Sequence, residues 1–213
     1  MLHLKALRGF AFVPVFILNI FIPAINYLVY RRYGISDRLY TNILELSQCL
    51  MPLASVWCCL LVLRDYLEGS GNELLYVNNH SNKFADVFTL FFLFVLNITV
   101  IFAVYWALIS QMSYEYLRIL TVCIFYFGLT YSLGFFTKST TLTILAVVLY
   151  TLANLYFQNE TESTWLLYFS TEKISKKFFL SHCLPLCLSG VLLTAAGVFF
   201  NTKKLAFAKT ING

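Results

Sequence analysis

The sequence predicts an all-α membrane protein with six transmembrane helices and short interfacial helices. Three observations point there. Apolar residues make up 60% of the chain and charged residues 12%, against about a quarter charged in soluble domains. The mean hydropathy of +0.75 agrees. Stretches free of Lys, Arg, Asp, Glu and His run through 9–30, 46–63, 87–114, 119–137, 139–159 and 183–202. Each holds about 18 residues or more, enough at 1.5 Å per residue to cross a hydrocarbon core about 30 Å thick. In lipid the backbone must satisfy its own hydrogen bonds, so these runs are helices.

A basic lead-in with Lys5 and Arg8 precedes the first span, which is long and lacks the small-residue cleavage site of a signal peptide. Spans are expected over about 10–30, 43–63, 84–109, 117–136, 139–157 and 180–200 of a single membrane domain. Pro14 and Pro23 lie in the first and Pro52 near the centre of the second. Such prolines are tolerated where neighbouring groups satisfy the freed carbonyls. A tight turn from Ser110 to Glu115 is expected between spans three and four. The 158–178 connection carries Trp165, Tyr168 and Phe169 and a Glu172–Lys176 pair at i,i+4 spacing. It reads as short interfacial helices or a re-entrant hairpin.

An even number of spans leaves both termini on one side. Lys5, Arg8, Arg64, Lys83, Lys138, Lys203, Lys204 and Lys209 share that side, against Arg31, Arg32, Arg38, Arg118, Lys173, Lys176 and Lys177 opposite. The bias slightly favours termini inside. The net charge of +5 suits anionic head groups of the lipid bilayer, with no nucleic acid as partner. Cys49, Cys58, Cys59, Cys123, Cys183 and Cys187 all fall in expected spans, where Cys acts as a small hydrophobe. Cys183, Cys187 and His182 lack the second pair a metal site needs, so no metal is expected.

The connection between spans two and three stands out. Glu68-Gly69-Ser70-Gly71-Asn72-Glu73-Leu74-Leu75 offers carboxylates, glycines and an apolar pair between two long apolar runs. Ser70 and Glu73 have capping-box spacing, which starts a short helix presenting Leu74, Leu75, Tyr76 and Val77 at the membrane surface. Gly69 and Gly71 supply a flexible joint. The bland alternative is an interfacial turn with solvated carboxylates.

Inside the spans the polarity is uncharged: Asn19, Asn26, Asn97, Thr99, Thr151 and Asn154. Asn19 and Asn26, seven apart, are expected to share a face of span one, and Thr151 and Asn154 a face of span five. Interhelical hydrogen bonding is the plain explanation; lining a substrate path is the sharper one. Asp86 and Glu115 lie at expected span ends, where solvated or snorkelling roles are expected. There is no phosphate-binding glycine loop, His-Glu-x-x-His or Gly-x-Ser-x-Gly. Adjacent residues such as His182 and Cys183 point about 100° apart on a helix, a poor nucleophile–base pair. No catalytic residue is expected, and the chain reads as no enzyme.

With six spans, a short N-terminal interfacial segment and Arg64-Asp65-Tyr66-Leu67-Glu68-Gly69-Ser70-Gly71-Asn72-Glu73-Leu74-Leu75 after span two, the chain resembles the ATP-binding-cassette (ABC) type-2 permease family. These are membrane subunits of bacterial exporters. The layout covers nearly the whole chain, and the motif about a dozen residues. The resemblance implies a permease in the bacterial plasma membrane, paired with a second permease copy or paralogue and with two separate ABC ATPase subunits. Those subunits would bind ATP and Mg, with no cofactor in this chain. It nominates 65–82 as a cytoplasmic coupling segment, with Glu68, Gly69, Gly71, Glu73, Leu74 and Leu75 seated on the ATPase. Both termini would be cytoplasmic and 158–178 external, and Asn19, Asn26, Thr151 and Asn154 would line the substrate path. The short tail and small external loops favour a hydrophobic or amphipathic substrate: a peptide, drug or lipid. A substrate-capture subunit of a vitamin importer ranks second, since few external polar clusters are present. An intramembrane peptide-processing peptidase ranks third, for want of Cys and His at one depth.

Overall fold

The computed structural model describes residues 12–67, 83–110, 112–157 and 178–211, and in that range the chain is all-α. Helix α1 covers Phe12–Tyr33, α2 Asp37–Leu67, α3 Lys83–Leu108, α4 Met112–Thr137 and α5 Thr140–Phe157. Helix α6 opens with the π turn Phe179–Cys183 and continues through Leu184–Ile211. Five of these, all but α5, are long and apolar enough to cross a membrane. The apolar part of α5, Thr140–Asn154, is shorter. The protein is thus a multi-pass membrane protein with five such helices among the described residues, where the sequence led us to expect six.

Helix boundaries follow local chemistry. Gly34 ends α1 at φ +63°, its N–H bonded to the Tyr30 carbonyl, a positive-φ conformation that glycine adopts without strain. Asp37 opens α2 with a carboxylate in the first turn, where the helix dipole favours it. Helix α4 begins at Met112, whose N–H reaches the Ile109 carbonyl. The expected turn through Glu115 is therefore shorter than predicted, and Glu115 lies inside the helix. Lys138, at φ 56°, turns the chain into α5, where the Thr137 hydroxyl donates to the Ser139 carbonyl.

Two π turns share one cause. Ile17–Phe21 and Phe179–Cys183 each end two residues before a proline, Pro23 and Pro185. A proline lacks the N–H for the carbonyl four residues earlier and its ring crowds that carbonyl. A locally widened helix moves the carbonyl aside.

Helix α4 is the hub. In its most apolar window 72% is buried, against 22% for α1 and for α6. The main core joins Met51 and Leu63 of α2, Val87 and Ile98 of α3, and Cys123 and Tyr131 of α4. The most extensive helix pair is α4 with α6. There Gly128 and Gly190 meet backbone to backbone, so a Cβ on either would overlap the other helix. Without a hydrophobic driving force between helices in lipid, such small-residue contacts supply close van der Waals fit.

Candidate functional site

Short turns join α1 to α2 and α3 to α4, and the Tyr40–Glu115 hydrogen bond brings those two turns to one end of the bundle. There Ser36, Asp37, Tyr40, Ile109 and Ser110 line an open cleft of about 430 Å³. Tyr40, on the second turn's inner face of α2, points its hydroxyl at Glu115 of α4 and donates to Oε1 at 2.8 Å. Arg118, three residues on, faces the same carboxylate, with Nη1 3.4 Å from Oε2. Glu115 and Arg118 are each 1% exposed. The guanidinium also lies 5.0 Å over the Phe178 ring at the start of α6. A buried ion pair in a membrane helix is a functional-site candidate by default. Glu115 is therefore neither solvated nor snorkelling, contrary to expectation. The i,i+3 spacing of opposite charges was the available signal, outweighed by a span drawn to begin at residue 117.

A polar chain runs beside this pair. Asn26 of α1, 3% exposed, donates through Nδ2 to the Tyr105 hydroxyl of α3 at 2.8 Å. Its Oδ1 accepts from Asn42 of α2, also at 2.8 Å. One side chain thus ties three helices. Asn19 instead lies within the π turn and is exposed. It donates to the Val15 carbonyl and accepts a longer bond from Asn97. Asn19 and Asn26 thus both reach α3, through Asn97 and Tyr105, but Asn19 is exposed and Asn26 buried.

On α5, Thr151 is buried and hydrogen-bonded to the Tyr126 hydroxyl of α4 at 3.1 Å. Asn154 is buried and donates to the Tyr150 carbonyl of its own helix, and its Oδ1 has no hydrogen-bond partner. The Asn19–Asn26 pair therefore finds its partners on α2 and α3, and the Thr151–Asn154 pair on α4 and α5.

At the opposite end of the bundle, α2 stops at Leu67 and α3 starts at Lys83. Their ends are tied together: the buried Tyr66 hydroxyl donates to the Asp86 carboxylate. Phe84 packs edge-on against Tyr131 of α4, centroids 5.7 Å apart, and Gly134 lets Leu63 approach α4 closely. Asp86 is thus a structural tie, not the freely solvated group its position suggested. Glu68, Gly69, Gly71, Glu73, Leu74 and Leu75 lie outside the described residues, as do the expected interfacial segments on either side of the spans.

The six cysteines are free thiols, buried or half-buried, and His182 stacks on Phe178 at 4.8 Å. Among the described residues, no cluster of three or more His, Cys, Asp or Glu is placed to hold a metal. Two further cavities open between helices. One of about 310 Å³ is lined by Val13, Leu53, Trp57 and Val148 among others, the second of about 560 Å³ by Phe88, Phe91, Phe127 and Val191 among others. Both have almost wholly apolar walls.

No protein-family model, curated protein or solved structure matches the chain. The permease resemblance accordingly rests on the chain's own residues, above all those from Arg64 to Leu75.

Proposed function

We propose that this chain is the permease subunit of an ATP-driven exporter in the bacterial plasma membrane, powered by separate ABC ATPase subunits that dock on the segment after α2. The complex holds two permease chains and two ATPases. Helix α5 serves as the sixth span, and both termini are cytoplasmic. Glu73, Leu74 and Leu75 make the contact, and Gly69 and Gly71 form the joint.

The observation that carries this reading is the Tyr66–Asp86 tie. A segment that passes mechanical work into a bundle needs both of its stems fixed to one frame; otherwise a push on it only bends the stems apart. Here the stems are hydrogen-bonded to each other and braced on α4 through Phe84 and Tyr131. The apolar cavities between helices support a hydrophobic or amphipathic substrate, since polar cargo would gain nothing from such walls. Asn26 and Thr151 act in this reading as interhelical ties beside the path rather than as isolated ligands.

The test is affinity purification in mild detergent from the native membrane. A phosphate-loop ATPase co-purifies with the wild type, and is lost when Glu73→Gln is combined with Leu74→Arg while membrane insertion is unchanged. An ATPase complex indifferent to both changes contradicts the docking role.

A further inference from the structure

We infer that Glu115 is a proton-binding site, loaded through Tyr40 from the cleft where α1 meets α2 and α3 meets α4. This is independent of the ATPase reading and rests on a different end of the molecule.

Three features of the geometry meet here. The Glu115 side chain is almost wholly buried, between Tyr40 of α2 and Arg118 of its own helix. Its two oxygens are unequally held. Oε1 accepts one hydrogen bond from Tyr40; Oε2 accepts none and has Arg118 at 3.4 Å. Charge-assisted N–H···O bonds close to about 2.7–2.9 Å, so this ion pair is loosely made and leaves a lone pair open. Tyr40 is half-buried and lines the cleft, so its hydroxyl joins the solvent-facing side to the carboxylate within one hydrogen bond.

Proton loading balances simply. A hydronium in the cleft gives a proton to the Tyr40 oxygen as the Tyr40 O–H bond breaks and its proton passes to Glu115 Oε1. Water, a neutral tyrosine and a neutral carboxylic acid result. The groups facing Glu115 among the described residues are Tyr40 from α2 and Arg118 from α4 itself. The Cys183 thiol of α6 lies within electrostatic reach of both charges. Asp37 sits at the cleft mouth. Protonating Glu115 weakens its pull on Arg118, whose guanidinium also lies 5.0 Å over the Phe178 ring at the start of α6.

The test is pH-difference infrared spectroscopy on the full chain in lipid nanodiscs, between about pH 6 and about pH 9, where solvated carboxylates stay ionised. The wild type should show a protonated-carboxyl band on acidification, absent from Glu115→Gln and shifted in frequency in Glu115→Asp. Tyr40→Phe should keep the band but change the pH at which it appears, since the hydrogen bond to Oε1 is lost. Should Glu115→Gln fail to fold, the Glu115→Asp and Tyr40→Phe spectra decide. A wild type with no band in that range, or a band unmoved by every change at Glu115, overturns the assignment.

Discussion

Tyr66 and Asp86, twenty residues apart in sequence, are hydrogen-bonded across the ends of α2 and α3. That bond closes the base of the segment on which the proposed function turns. Replacing the hydroxyl should therefore separate stability from coupling. Tyr66→Phe loses the bond to Asp86 and keeps the ring, so unfolding in detergent should be easier by about 1 kcal/mol. The ATPase should still co-purify, while substrate moved per ATP hydrolysed should fall. Unchanged transport stoichiometry would mean the tie carries no force.

The α4–α6 crossing should be the least forgiving place in the bundle. Gly128→Val and Gly190→Val each insert side-chain atoms where backbone meets backbone. Overpacking of this kind costs about 1–3 kcal/mol, and here the partner is a rigid backbone, so the upper end is expected. Thermal unfolding and the yield of monodisperse protein in detergent measure it. Gly34→Ala, with open space around its Cβ, should lower stability only through backbone strain at positive φ, by about 1 kcal/mol.

The two buried asparagines should behave differently. Asn26→Ala removes bonds to both Tyr105 and Asn42 and should cost about 1–2 kcal/mol. Asn154 bonds only its own helix and leaves Oδ1 without a partner, so Asn154→Leu should be neutral or stabilising in the same unfolding assay. If Asn154 contributes to a substrate path, transport should fall in that variant while stability holds.

These contrasts show what was readable in the sequence. Each apolar run became a helix because lipid allows no other backbone solution; the α1, α3 and α5 boundaries and the start of α6 lie within a few residues of the expected ones, and α6 runs on to Ile211, past the expected end at 200. Helix α2 begins six residues earlier than the expected span and α4 five, because Asp37 and Glu115 are accommodated within helices. What could not be read is partnership across distance. Tyr40 meets Glu115 over 75 residues and Asn26 meets Tyr105 over 79, separations that leave no local pattern. Asn19 and Asn26, seven apart, both reach α3 as their spacing suggested, but only Asn26 is buried.

The most direct test of the central claim is the sidedness of the segment after α2. In a Ser70→Cys variant, a membrane-impermeant thiol reagent should leave intact cells unlabelled at this position and label inverted membrane vesicles. Labelling in intact cells would place the segment outside, where no ATPase can reach it, and would contradict the account.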